Sequence, residues 1–122
     1  MGKLVIRKTA TGFKFDLKAA NGQTVATSEV YETEAACRRG AESVRKNAQA
    51  AKLEDQTAED TQTVTNPKFE LFQDKAGDYR FRLKARNGEI IATSEGYQAK
   101  SSCESGIESV RKNAPDAPIV QE

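Results

Sequence analysis

The sequence contains one block of residues twice, and this duplication restricts the possible folds more than any other feature. Residues 13–48 align with residues 79–114 without a gap, and 20 of the 36 aligned positions are identical. The chain has 122 residues, the length of one ordinary domain, whereas a half of that length would bury only about 60% of its unfolded surface. We therefore expect two copies of one structural unit that share a single core.

Each copy begins with a pattern of three strands. Residues 3–8 and 68–73 align as the first strand, and the second strand follows a short turn. Apolar and charged residues alternate along 13–19 and 79–86, as in a strand with one buried face. The sequence therefore predicts that the second strand of each copy is half-buried.

The second and third strands of each copy are joined by Asn-Gly. This pair favours a two-residue type I′ turn, which needs positive φ at both of its residues. Such a turn sets Lys18 opposite Val25, places Thr24 on the inner face and directs Val25 and Ile91 to the outer face.

A helix follows in each copy, predicted at 33–47 and 99–113 from apolar residues three and four positions apart. Thr33 is a good N-cap for the first helix. Ser101 with Glu104 forms a capping box that would start the second helix two residues later. The asparagines at the two helix ends, Asn47 and Asn113, fit a left-handed C-cap.

The short runs after the helices, 51–55 and 117–121, predict a weak fourth strand in each copy. Between them lies a polar, Thr-rich stretch that is typical of a linker. The predicted organisation is a first repeat at 1–56, a linker at 57–66 and a second repeat at 67–122, which together form one pseudo-two-fold domain.

The elements Asn-Gly, Ala-Thr-Ser-Glu-x-Tyr and Gly-x-Glu-Ser-Val-Arg-Lys-Asn-Ala, each present twice, resemble the YegP-like family of small bacterial proteins, whose function is unknown. The resemblance covers nearly the whole chain except the linker. It implies an α+β fold in which tandem β-β-β-α-β repeats form a single antiparallel sheet with two helices on one face. It also implies that the C-terminal strand of each repeat is exchanged into the other repeat's sheet. Single-unit members would build the same assembly as homodimers, so we expect the tandem chain to be a monomer.

The composition argues against common catalytic chemistry. The chain has no histidine, which removes the usual acid/base group at neutral pH and the commonest metal ligand. Cys37 and Cys103 lie at equivalent places on the apolar helix stripes, where buried thiols are inert. The resemblance brings no catalytic residues with it. We predict no catalytic residue, no metal and no cofactor, and a non-enzymatic binding or interaction module.

Each predicted helix has a glycine near its middle. Gly40 and Gly106 stand in mid-helix, where glycine costs about 1 kcal/mol relative to alanine. We expect them to face Ala26 and Ala92 of the sheet and to allow close contact, although a shallow pocket at this seam is an alternative.

The i,i+4 pairs Glu42–Lys46 and Glu108–Lys112 are expected on the solvent side of the helices. There they would form exposed salt bridges.

Two candidate binding surfaces remain. The first is the pair of strand-to-helix corners, Glu29 with Tyr31 and Glu95 with Tyr97. A tyrosine there either packs locally or presents its hydroxyl to a protein partner or a small ligand. An enzyme that uses these carboxylates is a third possibility, but no paired carboxylates support it.

The second candidate surface is the outer face of the sheet, opposite the helices. Its predicted basic residues would suit a nucleic acid, although Phe72 is the one aromatic residue that points outward by register. The candidate nucleic-acid residues are Lys14, Lys18, Arg80, Arg82, Lys84 and Arg86.

Location and overall charge give little guidance about partners. No apolar stretch approaches the length of a membrane span, and the apolar run near the N-terminus is too short for a signal-peptide core. We therefore expect a cytoplasmic protein that does not bind membranes. The net charge of +1 points to no particular partner.

Overall fold

The structure, a computed structural model, describes residues 2–122. Within this range it contains eight strands and two helices, which follow the predicted order β-β-β-α-β twice. The elements are β1 Lys3–Lys8, β2 Phe13–Lys18, β3 Thr24–Thr27, α1 Glu34–Asn47, β4 Lys52–Asp55, β5 Lys68–Gln73, β6 Tyr79–Lys84, β7 Ile90–Thr93, α2 Lys100–Asn113 and β8 Ile119–Gln121.

All eight strands form one sheet in the order β4-β5-β6-β7-β3-β2-β1-β8. The last strand of each repeat pairs with the first strand of the other repeat, Leu53 opposite Phe69 and Ile119 opposite Leu4. The predicted strand exchange is therefore confirmed. These two pairings are parallel, however, so the sheet is mostly rather than wholly antiparallel. Neighbouring parallel strands need a crossover of about a dozen residues, and segment 56–67 provides one between β4 and β5.

The two repeats meet at the centre of the sheet. Thr27 of β3 lies opposite Thr93 of β7, and these residues occupy equivalent positions in the two repeats. Both helices pack on one face, and each contacts strands of both repeats. Phe15, Phe69 and Phe81 are fully buried or nearly so within a single apolar cluster. The shared core expected from the short repeat length is present.

The hairpin turns differ from the predicted type I′. Among residues 2–122 no residue other than glycine has positive φ, so Asn21 is not left-handed. Gly22 alone has φ of +86°, and its N–H donates to the carbonyl of Ala19 at 2.9 Å. Ala19 N–H in turn donates to the carbonyl of Gln23. The loop is thus one residue longer than predicted, and only its glycine needs the left-handed conformation.

This longer loop changes the strand pairing only next to the turn. The pairing is regular at Leu17 with Ala26, as predicted, but Lys18 then pairs with Thr24 rather than with Val25. Two residues of β3 therefore oppose one of β2, as in a β-bulge. Val25 and its equivalent Ile91, predicted to face solvent, are buried in the apolar cluster, whereas Thr24 is exposed.

The helix ends confirm one prediction and contradict three. Thr33 caps α1 as expected, because its Oγ1 accepts from Ala36 N–H at 3.1 Å. Helix α2 begins at the equivalent position after Ala99 without a side-chain cap, so the predicted later start is wrong. The left-handed C-cap is wrong at both ends: Asn47 and Asn113 are the last helical residues, and right-handed alanines follow them. No helix of residues 2–122 is long and apolar enough to cross a membrane.

Candidate functional site

The tyrosine corners are held by backbone pairing. Tyr31 N–H donates to the carbonyl of Phe13 at 2.6 Å, and Phe13 N–H donates back at 2.8 Å. Tyr97 and Tyr79 pair in the same way. The ring of Tyr31 stacks on Phe15, with centroids 6.4 Å apart. Each corner therefore fixes its tyrosine against the second strand of its own repeat.

The mid-helix glycines make room for these tyrosines. A Cβ on Gly40 would overlap the Tyr31 hydroxyl and lie 2.7 Å from Tyr31 Cζ. A Cβ on Gly106 would lie 2.7 Å from the Tyr97 hydroxyl and 3.0 Å from a Phe81 ring carbon. The expected close contact is present, but its partners are aromatic rings rather than Ala26 and Ala92.

Burial raises the pKa values of the tyrosines and cysteines at the corners. Burial, followed by the nearby Cys37 thiol, raises the pKa of Tyr31, and burial likewise raises the pKa of Tyr97. Both thiols are fully buried. Burial raises the pKa of Cys37, and it raises the pKa of Cys103 to about 11. Such thiols are protonated at neutral pH and unreactive. Glu29 and Glu95 are exposed and form no salt bridge within residues 2–122.

Acidic neighbours neutralise three of the six basic residues that were predicted for the outer sheet face. Arg80 Nε lies 2.6 Å from Asp74 Oδ2, and Arg82 Nε lies 2.5 Å from Glu70 Oε1. Lys84 Nζ is 3.3 Å from the other oxygen of Glu70. The guanidinium of Arg82 also lies 4.5 Å from the centre of the Phe72 ring. The one outward aromatic that could have stacked on a base is therefore already covered.

The pairs that Arg82 and Lys84 form with Glu70 belong to an ion network with a buried centre, which the sequence did not predict. Glu70 is 3% exposed, and Lys68 bridges it to Glu54 with contacts of 3.3 and 2.9 Å. Hydrogen bonds from Gln56 and Lys68 lower the pKa of Glu54 to about 2. Val64 N–H of the linker also donates to Glu54 at 2.8 Å, so the linker covers this end of the face. Glu54 lies in one repeat and Lys68 in the other, which is why neither repeat alone indicated the network.

The centre of the outer face is a shallow depression of about 440 Å³. Lys14 and Arg80, which are equivalent in the two repeats, both line it. Lys14 and Lys18 form no salt bridge within residues 2–122, whereas Arg7 of the depression pairs with Asp16 at 2.8 Å. The depression therefore mixes free and neutralised cations.

Arg86 does not lie with the other candidates, because it lines a groove on the helix side of the molecule. This groove, called the inter-repeat groove below, has a volume of about 850 Å³ and separates the C-terminal half of α1 from the β6–β7 turn of the other repeat. Arg86 follows β6 at the turn, where strand alternation no longer sets the direction of a side chain. The lining residues are Arg39, Glu42, Ser43, Arg45, Lys46, Asn47, Ala50, Pro67, Ala85, Arg86, Asn87 and Pro115.

The inter-repeat groove is strongly basic. Its lining holds four cations, Arg39, Arg45, Lys46 and Arg86, against the single carboxylate of Glu42, a formal net charge of +3. None of the five forms a salt bridge with any residue of 2–122. The predicted Glu42–Lys46 bridge is thus not formed.

The equivalent residues of α2 behave differently. Glu108 pairs with Arg111 at 2.6 Å rather than with Lys112. The predicted Glu108–Lys112 bridge is therefore also absent, because the arginine one position nearer takes its carboxylate.

A polar pair on α1 adds directional hydrogen bonding to the groove. Asn47 Nδ2 donates to the carbonyl of Ser43 at 2.8 Å and to its hydroxyl oxygen at 3.0 Å. Because the Ser43 hydroxyl accepts from Asn47, its own proton is free to point elsewhere. The groove therefore offers cations and a hydroxyl donor, which together suit an anionic group.

Comparison with known proteins identifies relatives of the whole chain and of a single repeat. The family model described as "Domain of unknown function (DUF1508)" matches residues 9–55 and again 74–121. A UPF0339 protein of Pseudomonas aeruginosa is 33% identical over 121 residues, 98% of this chain and 96% of that protein. A UPF0339 protein of Treponema denticola is 63% identical over 54 residues, which make up 93% of that protein and 44% of this chain.

The fold has a solved counterpart. The solution structure of yegP from E. coli, a protein of unknown function, superposes with a TM-score of 0.79 at 30% identity and covers 99% of this chain and 92% of that one. The chain therefore belongs to the DUF1508 (UPF0339, YegP-like) family, and no specific function is established for that family.

Proposed function

We propose that this protein is a non-enzymatic binding module, and that it takes up an anionic ligand in the inter-repeat groove. The observation that carries the proposal is the set of four cations that surround one groove without a salt-bridge partner within residues 2–122. Clustered like charges destabilise a folded chain by mutual repulsion. A bound anion would relieve that repulsion and would accept charge-assisted hydrogen bonds from the arginines.

The assignment to binding rather than catalysis rests on the reactive side chains. Both thiols are buried, and their pKa values are raised. Both corner tyrosines pack against helix glycines and carry raised pKa values. Groups of this kind serve packing better than proton transfer. We further propose a monomer in the cytoplasm, where free thiols are usual.

Nuclear magnetic resonance can test the proposal with the isotope-labelled chain. Tripolyphosphate added at low salt should shift the amide signals of Arg39, Ser43, Lys46 and Asn87, and raised salt should reverse the shifts. Arg86→Glu should abolish the response. Lys18→Glu, an equal charge reversal on the outer face, should leave it unchanged. If tripolyphosphate shifts no groove signal at low salt, the proposal is wrong.

A second candidate function is nucleic-acid binding on the outer face. The supporting observation is the central depression, where the equivalent residues Lys14 and Arg80 lie on either side of Thr27 and Thr93. A single-stranded oligonucleotide should then bind with marked salt dependence. Lys14→Glu combined with Arg80→Glu should abolish that binding, and unchanged affinity would exclude this face.

A further inference from the structure

We propose that the inter-repeat groove binds a small organic molecule with two or more phosphate groups, and that the chain has one such site although it has two repeats. This inference rests on the proposed function, since it names the ligand class and the number of sites for the same groove. The duplication places a twin of this groove between α2 and the β2–β3 turn.

The twin groove lacks the positive charge. Where the inter-repeat groove has Arg39, the other repeat has Ser105, and where it has Arg86, the other repeat has Ala20. Ala50 is replaced by Asp116. The charged residues at the twin positions are two cations, Arg111 and Lys112, and two carboxylates, Glu108 and Asp116, which leave no net charge.

The remaining arginine of the twin groove is also engaged. Arg111 Nη1 lies 2.6 Å from Glu108, and Nη2 donates to the carbonyl of Ala51 at 2.8 Å. Its guanidinium also lies 5.2 Å from the centre of the Phe69 ring. Its counterpart Arg45 makes none of these contacts within residues 2–122. Only one of two equivalent grooves therefore presents free guanidinium groups.

The lining of the inter-repeat groove indicates the ligand class. A volume of about 850 Å³ lies within the range of small-molecule sites. Arginine binds phosphate through two parallel hydrogen bonds, and a net charge of +3 suits more than one phosphate. The twelve lining residues include no aromatic side chain, whereas surfaces for single-stranded nucleic acid stack bases on aromatic rings. Pro67, Pro115, Ala50 and Ala85 supply an apolar wall for the organic part of a ligand.

Isothermal titration calorimetry with three probes tests both the ligand class and the site number. The probes are tripolyphosphate, ATP, and a single strand of about 12 nucleotides, long enough for a single-strand site. We expect tripolyphosphate and ATP to bind with one site per chain, and ATP more tightly than the oligonucleotide. Arg39→Ser with Arg86→Ala should weaken ATP by at least about 10-fold. Both replacements are the residues that the other repeat carries at the same positions, so the fold tolerates them.

A matched control and a transplant complete the experiment. Lys14→Ala with Lys18→Ala removes the same charge from the outer face and should leave ATP binding within about 2-fold, because surface substitutions away from the site act weakly. Ala20→Arg, Ser105→Arg and Asp116→Ala together should raise the number of sites from one to two. An equal loss in the control, or one site in the transplanted chain, would overturn the assignment to these residues.

The outcomes also separate the two proposals. If none of the three probes binds at low salt, the proposed anion-binding function itself fails. If the oligonucleotide binds through Arg39 and Arg86 as tightly as ATP or more so, the groove binds anions but the small-ligand assignment is wrong. Two equivalent sites in the unmodified chain would refute the asymmetry between the grooves.

Discussion

Replacing Gly40 with alanine should destabilise this protein, although the same change stabilises most helices. Alanine is favoured over glycine by about 1 kcal/mol in a helix interior. At Gly40 the new methyl group would overlap the Tyr31 hydroxyl, lie 2.7 Å from Tyr31 Cζ and lie 3.2 Å from a Phe15 ring carbon. Both rings are held, Tyr31 by its backbone pairing with Phe13 and Phe15 by complete burial.

The net cost follows from these opposing effects. Forcing extra methylene volume into a packed core costs about 1–3 kcal/mol. After the gain of about 1 kcal/mol in helix propensity, Gly40→Ala should lower the free energy of unfolding by up to about 2 kcal/mol. Gly106→Ala should cost less, because its closest contact would be 2.7 Å to the Tyr97 hydroxyl and the Tyr97 Cζ would lie 3.2 Å away. The twin repeat thus provides a graded control.

Urea denaturation followed by circular dichroism measures both effects, provided the m-value stays constant. A double-mutant cycle then tests the cause. Tyr31→Phe removes the overlapping oxygen, so the pair Gly40→Ala with Tyr31→Phe should be more stable than the sum of the single changes by about 1 kcal/mol. A stabilised Gly40→Ala variant, or additivity within about 0.5 kcal/mol, would refute the view that the glycine exists to admit the tyrosine.

Three further predictions concern the sheet. Glu70→Gln should cost about 3 kcal/mol in urea denaturation, because it removes the carboxylate shared by three cations, whereas Glu108→Gln, in an exposed pair, should cost less than about 1 kcal/mol. The pKa of Glu54 is lowered from its ordinary 4.5 to about 2, so its contribution to stability is complete above pH 4.5 and is lost as the pH falls towards 2. In Glu54→Gln the urea midpoint should therefore depend less on pH between 4.5 and 2 than it does in the unchanged chain. An equal pH dependence in both proteins would contradict the network. Residues 1–56 expressed alone should dimerise or remain unfolded in analytical ultracentrifugation, and a folded monomer would contradict the exchanged strands.

The sequence was most informative where one local rule decided the structure. Alternation placed Phe15 and Leu17 in the core, and the short duplicated unit predicted a core shared by both repeats. The start of α1 was predicted to within one residue, because Thr33 is a good N-cap. Turn chemistry was less reliable, because Asn-Gly suits both a two-residue loop and a longer loop in which glycine alone has positive φ. That one-residue difference moved Val25 and Ile91 from the predicted outer face into the apolar cluster.

The candidate site depended on contacts that no pattern along the chain encodes. Arg86 and Arg39 are far apart in sequence and meet only because α1 of one repeat crosses to the β6–β7 turn of the other. In the same way, Glu54 and Lys68 meet across the exchanged strand pair. Comparing the repeats position by position would have shown the asymmetric pairs Arg39/Ser105 and Arg86/Ala20. It would not have shown that both arginines face one groove.

In a tandem chain the two repeats can carry different residues at equivalent positions, whereas the identical subunits of a homodimer cannot. In a homodimer each substitution occurs twice, so four cations beside one groove would become eight in the assembly, with twice the repulsive cost. In a single chain one repeat can carry the charge while the other stays neutral. Most groove positions are the same in both repeats, as in Ser43/Ser109 and Asn47/Asn113, and the difference in charge comes from Arg39/Ser105, Arg86/Ala20 and Ala50/Asp116. A ligand needs only one charged groove, so the duplicated chain can carry the additional cations on one side and leave the equivalent surface without net charge.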